Sequence, residues 1–424
     1  MRRRYSYRGV TVIRRAALVA ALLIAARPSL AAGPVFSDTG PDAAAYGAAA
    51  GYPVGPRMAA PLPQNIMVGT YSHWSDKYAH RSVPRPAVAS SLPRATEELA
   101  LSYRYQAEQR DLLDYLSRHP STGMLIAHND TILFEHYQYA RTDRDKMLSQ
   151  SMAKTITAML VGIAVQEGAI RSIDQPAADY VPELAGTEYG KTPIRALLHM
   201  ASGIAFREVY DTPGSDNARF GQMLFGPSNP GAAHAVATFN TREAPPDTRF
   251  NYAGTETEVL GLIVAAATKT TLSDYLKTRI WHPMGAEADA TWTIDTSHQE
   301  PGFCCISAVL RDWARIGLLL VHNGTWNGRQ IVPQQWVLDM ATPQADFLQP
   351  RTMTKFYGYG YQTWIFPGPR RQFALLGVHG QAVFVDPAAN LVLVHTAVRV
   401  KASGDPAAAE LVALWQALVA KFAG

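Results

Sequence analysis

Leu148-Ser149-Gln150-Ser151-Met152-Ala153-Lys154-Thr155 runs on into Val161-Gly162-Ile163-Ala164-Val165-Gln166-Glu167-Gly168. The apolar residues Ile156, Met159, Leu160, Ile163 and Ala164 sit at helical spacing, and Gly168 is a stop. Apolar positions cover most of the circumference, which predicts a central, buried helix. Positions i and i+3 share one face with Cβ atoms about 5–6 Å apart. Ser151 in the first turn and Lys154 could therefore exchange a proton. A serine hydroxyl is a weak nucleophile until a base takes its proton. Lysine can be that base only if burial or a nearby cation lowers its pKa. The apolar helix supplies the desolvation, and its N-terminus offers unpaired N–H groups to an oxyanion. An ordinary capping serine beside a solvated lysine would give the same four letters, so the surroundings must decide.

Working outward, Met124–Ala127 and Ile132–Tyr137 read as a hairpin turned at His128-Asn129-Asp130. Glu97 to Arg118 carries an approximate helical face of Leu99, Leu101, Tyr105, Leu112 and Leu116. From Ile173 to about Pro301 loops and helices alternate, with helical patterns entering at Ile194 and running from Tyr252 to Lys269. Ala308 to His322 is helical again. Strand patterns follow at Tyr361–Phe366, Gln372–Val378, Gln381–Asp386 and Leu391–Val398, and an amphipathic helix carries Leu411, Leu414, Trp415, Leu418 and Phe422. Strands at both ends and helices between them predict an α+β fold: an antiparallel sheet flanked by helices, built from both ends of the mature chain, around an inserted mainly helical domain. The expected division is 1–32 signal peptide, 33–95 extended arm, 96–175 with 301–424 sheet domain, and 176–300 helical domain.

The chain has 424 residues, 47% of them hydrophobic, so it can bury a large core. Its formal charge of +4 is misleading, because seven arginines and no acid fall in the first 32 residues. The remainder is mildly acidic and has no electrostatic reason to bind nucleic acid. Arg2 to Arg15 followed by the apolar run Ala16–Ala26 and the small residues Ser29-Leu30-Ala31 reads as an export signal cleaved near Ala31 or Ala32, hence a periplasmic or secreted protein. Eleven apolar residues are too few to span about 30 Å of hydrocarbon, so no stable membrane span is expected after cleavage. The only cysteines, Cys304 and Cys305, are adjacent. Their side chains should diverge, which predicts two small buried thiols and no disulfide. No H-E-x-x-H or Cys/His cluster is present, so neither a metal nor another cofactor is expected.

The serine helix resembles the nucleophile helix of the serine β-lactamase-related, penicillin-recognising superfamily. Leu197-Leu198-His199-Met200-Ala201-Ser202-Gly203, Arg311-Asp312-Trp313-Ala314-Arg315-Ile316-Gly317, Tyr357-Gly358-Tyr359-Gly360-Tyr361 and Gly380-Gln381-Ala382-Val383-Phe384-Val385-Asp386-Pro387 are similar to further family segments, in family order. The resemblance covers about residues 100–424. It is greatest to the class C β-lactamase-like branch of esterases and 6-aminohexanoate-dimer hydrolase. It implies a serine hydrolase cleaving a small-molecule ester or amide through a Ser151 acyl-enzyme. By the resemblance Tyr252, in Phe250-Asn251-Tyr252-Ala253-Gly254, is the tyrosine that passes the proton to the leaving group. The position two after it is Gly254, where the family usually has Asn or Ser, so a hydrogen bond near the lysine is expected to be missing. The third motif, often Lys-Thr-Gly, is matched by Leu375-Leu376-Gly377-Val378-His379-Gly380-Gln381 without a lysine. That absence argues against a β-lactam or a peptide terminus as substrate. The N–H groups of Ser151 and Val378 would bind the oxyanion. Tyr210 and Trp364 resemble substrate-lining aromatics of that branch, and His379 is either a substrate contact or a structural histidine. A β-lactamase, a D-alanyl peptidase and an inactive binding protein of the same fold remain the alternatives.

Overall fold

The computed structural model describes residues 1–4, 33–56, 62–210 and 212–423. The apolar run of the expected export signal lies outside the described residues. No helix among the described residues is long and apolar enough to cross a membrane.

The main sheet has eight strands: β1 Val35–Phe36, β2 Ser121–His128, β3 Thr131–Tyr137, β4 Gly358–Tyr359, β5 Trp364–Ile365, β6 Phe373–Gly377, β7 Gln381–Asp386 and β8 Leu391–Ala397. Their spatial order is β1-β3-β2-β8-β7-β6-β5-β4. Only β1 runs parallel to its neighbour. The β2–β3 hairpin closes through Asn129 and Asp130, both with positive φ, the backbone of a tight primed turn. The pairing of β2 with β8 opposes Leu125 to Val394 and joins the two ends of the chain.

Four helices matter to the site: α1 Ala153–Gln166, α2 Gly254–Thr268, α3 Leu310–Val321 and α4 Ala407–Phe422. Side chains alternate across a strand. Leu125, Ala127, Val383, Val385, Val392 and Val394 therefore share one core with α1 and α3. Met124, Ile126, Phe134, Phe384 and Leu393 face the other way and pack on Leu411, Leu414, Trp415 and Leu418 of α4. α1 is buried along nearly its whole length, as its sequence implies. A smaller antiparallel sheet joins His80–Val83, Ala290–Thr293, Ile306–Ala308 and Met147–Leu148, in that order. Met147–Leu148 leads directly into the turn that carries Ser151.

Three expectations need correction. Glu97 to Arg118 is not one helix. Ser102–Tyr105 and Glu108–Asp111 form a hairpin turned at Gln106 and Ala107, both with positive φ, and a helix runs only from Leu112 to Arg118. An Asp111–Asp114 capping box starts that helix, so the apparent apolar face spanned a hairpin and a helix. Residues 33–95 are more than a surface arm, because Tyr46, Tyr52, Met67, Val68 and Tyr71 are buried in a core of their own with Tyr139 and Leu148. Finally, Cys304 and Cys305 are bonded to each other. Cys305 has φ of 75°, and this left-handed backbone allows adjacent side chains to meet where extended chain would part them.

Candidate active site

Ser151 lies in a short 3-10 turn, Gln150–Met152, at the head of α1. The turn is pinned to the small sheet. The Ser149 N–H donates to the Ile306 carbonyl at 2.7 Å, and the Ile306 N–H donates to Ser149 Oγ at 3.0 Å. On its other side β6 comes in close. A Cβ on Gly377 would lie 2.5 Å from the Ser149 carbonyl oxygen, so only glycine permits the approach. That contact brings Ser151 and Val378 into the wall of one cavity.

Lys154, 1% exposed, extends beneath the serine. Its Nζ is 3.1 Å from Ser151 Oγ and donates to the Phe303 carbonyl at 3.3 Å. The rings of Tyr252 and Phe303 flank the amine at 4.9 and 5.4 Å. Burial lowers the pKa of Lys154, while the carboxylates of Glu208 and Glu258 oppose the shift. The hydroxyls of Tyr252 and Tyr210 both interact with that of Ser151. Burial, reinforced by Glu208, raises both phenols, so they stay protonated at neutral pH and can donate. Tyr252 precedes α2, and its ring packs 5.3 Å from Trp364 of β5.

Glu208 is a member of the group that the sequence reading missed. Its carboxylate is almost fully buried, 3.9 Å from Lys154 Nζ. It accepts the Tyr210 hydroxyl proton on one oxygen and the Gly254 N–H on the other. A Cβ at Gly254 would lie 3.3 Å from Glu208 Oε2 and 3.3 Å from the Phe303 ring. The place left by a missing Asn or Ser side chain is thus taken by a carboxylate from 46 residues upstream. Only the unusual glycine hinted at it.

The cavity at Ser151 has a volume of ≈ 330 Å³. Tyr210, Tyr252, Tyr357, Trp364, Leu376 and Phe384 are among the residues that line it. His379 is not in that wall. Its Nδ1 is 2.6 Å from the Arg399 carbonyl, and its ring packs edge-on to Tyr71, contacts that favour the structural of its two readings. A larger concavity of ≈ 800 Å³ near His322 and Trp326 contains none of the Ser151 group.

Residues 110–416 match the family model described as Beta-lactamase. The chain is 27% identical over 333 residues to the 6-aminohexanoate-dimer hydrolase of Paenarthrobacter ureafaciens, covering 76% of this chain and 84% of that one. A solved Bacillus anthracis protein, provisionally named 6-aminohexanoate-dimer hydrolase, superposes with a TM-score of 0.74 at 23% identity over 84% of this chain and 94% of its own. A family VIII carboxylesterase shares the fold with a TM-score of 0.54 at 17% identity, over 71% of this chain and 93% of its own. With the family model spanning most of its length and its fold shared with these structures, the chain belongs to the β-lactamase family.

Proposed function

We propose that the protein is an exported serine hydrolase that cleaves a small-molecule ester or amide through a Ser151 acyl-enzyme. One observation carries this reading: a lysine amine 1% exposed, its pKa lowered by burial, 3.1 Å from a serine hydroxyl that lines a cavity. As Ser151 Oγ bonds to the substrate carbonyl carbon, its proton passes to the neutral amine of Lys154. The N–H groups of Ser151 and Val378 stabilise the resulting oxyanion. Tyr252 then hands a proton to the departing oxygen or nitrogen and is resupplied from Lys154, and the bond to the leaving group breaks. Water attacks the acyl-enzyme by the reverse proton path, releasing the acid and free Ser151. Tyr210 lies within reach of the same hydroxyl and is the second donor, for an amide nitrogen in particular.

An activated ester or a fluorophosphonate should add one acyl or phosphonyl mass to the intact protein, and Ser151→Ala should show none. An unlabelled wild-type protein would reject the reading. The β-lactamase and D-alanyl peptidase alternatives call for a motif lysine beside Gly377, which this chain lacks, so nitrocefin turnover should be negligible next to that of short acyl esters.

A further inference from the structure

The adjacent cysteines sit between two peptide groups that grip the reacting turn. The 303–304 peptide carries the Phe303 carbonyl, which accepts the Lys154 amine at 3.3 Å. The 305–306 peptide carries the Ile306 N–H, which donates to Ser149 Oγ at 3.0 Å. The Ile306 carbonyl accepts the Ser149 N–H in return at 2.7 Å. One short stretch thus holds both the amine and the turn that presents Ser151. Its remaining carbonyls are held by the small sheet: Trp292 Nε1 donates to that of Cys304 at 3.1 Å, and the Thr293 N–H donates to that of Cys305 at 3.1 Å. At the centre of the stretch Cys305 has φ of 75°, a left-handed backbone that crowds any residue with a Cβ. A free cysteine would favour negative φ. The bond from Cys304 closes a small ring through the 304–305 peptide and restricts the dihedrals on either side of it. Both cysteines are buried in the core that holds Tyr46, Tyr71 and Leu148, and neither lines the cavity at Ser151. Disulfides persist in the oxidising compartments that exported proteins reach.

We propose that the Cys304–Cys305 disulfide is a positioning element of the active site: it holds Cys305 left-handed and so keeps the Phe303 carbonyl on Lys154 and Ile306 on Ser149. When a dithiol opens the bond, two electrons and two protons pass to the protein, the pair becomes two thiols, and the dithiol closes to its own disulfide. Cys305 then relaxes toward negative φ, which turns the flanking peptides away from Lys154 and Ser149. Turnover at Ser151 is thereby tied to the oxidation state of a pair outside the cavity wall. This rests on the acyl-enzyme reading for the turnover it governs.

The test follows hydrolysis of a short nitrophenyl ester by the oxidised protein, by protein reduced with dithiothreitol, and by reduced protein after reoxidation. The chain has no other cysteine, so any effect of the dithiol belongs to this bond, and alkylation of both thiols shows when reduction is complete. Reduction should lower kcat about tenfold or more and leave KM within about twofold, as expected when reacting groups are displaced, and reoxidation should restore kcat. Cys304→Ala/Cys305→Ala should start low and ignore dithiothreitol. Cys304→Ala/Cys305→Gly should regain most of the loss, because glycine takes the left-handed backbone with no bond to hold it. A kcat unchanged on complete reduction, an alanine pair as active as the wild type, or a glycine variant no faster than the alanine pair overturns the proposal. Hydrogen exchange at the Ser149 and Ile306 amides separates the two readings, since both amides should exchange faster in the alanine pair. That result, alongside a wild type that neither labels with a fluorophosphonate nor turns over an ester, would sink the acyl-enzyme and keep the role of the disulfide. Labelling of Ser151 at the same rate in the wild type and the alanine pair would do the reverse.

Discussion

Glu208 sets the charge around the Lys154 amine. Burial lowers the Lys154 pKa, and the Glu208 carboxylate pulls it back up from 3.9 Å. A lysine base must be neutral, so activity should rise with pH through the pKa of Lys154. Glu208→Gln removes the opposing charge, and the acidic limb of kcat/KM should move to lower pH. A limb that stays in place would show that Glu208 acts only as a strut for Tyr210 and Gly254. The Ser151–Lys154 pair was legible because its i, i+3 spacing is a local property of the chain, and Tyr252 only through the family resemblance. Glu208 was not, because it enters the site through a loop that folds back onto the start of α2. Of the two readings of His379 the sequence could not choose, and its contacts with the Arg399 carbonyl and the Tyr71 ring favour the structural one.

At the level of elements, the Glu410 carboxylate adds a polar tie between α4 and the Tyr103 and Arg118–His119 segments to its apolar packing on the sheet. Burial alone would raise the pKa of Glu410, but hydrogen bonds from Arg118, His119 and Tyr103 bring it down to about 2. Its depressed pKa stabilises the fold fully above the ordinary value of 4.5, and that stabilisation is lost as pH falls toward 2. Glu410→Ala strands the Arg118 guanidinium, leaves His119 and Tyr103 without their acceptor and should cost about 3 kcal/mol in urea denaturation at neutral pH. The difference from wild type should shrink on acidification through this window, and a constant difference would contradict the account. The strand β2, the hairpin and α1 were readable from alternation and helical spacing. The 102–111 hairpin was not, since its turn needs positive φ at Gln106 and Ala107, residues that do not announce it. Adjacent cysteines were misread for the same kind of reason, a left-handed residue at 305.

For the whole molecule, a sheet closed by β2 and β8 presses α1 into a position where Lys154 cannot reach solvent. The two-ended sheet was legible from the order of strand and helix patterns. The burial of parts of residues 33–95 was not, because Tyr46, Tyr52 and Tyr71 are scattered through a Gly- and Pro-rich stretch and meet only in three dimensions. Burying an amine that ionises freely in the unfolded chain lowers stability. Lys154→Met should therefore abolish activity and raise stability by about 1 kcal/mol or more. The unfolded chain binds the extra proton between the two lysine pKa values. The gain is thus largest below the folded pKa and disappears as pH rises to the ordinary lysine value of 10.5. A variant less stable than wild type across that range would show that the amine is held charged. The most direct measurement is the rate at which a neutral fluorophosphonate labels Ser151 from about pH 5 to about pH 10. The account predicts one ionisation well below the free lysine value and a loss of about a thousandfold or more in Lys154→Met. A rate in Lys154→Met equal to wild type, or a rise only at the pKa of free lysine, would contradict it.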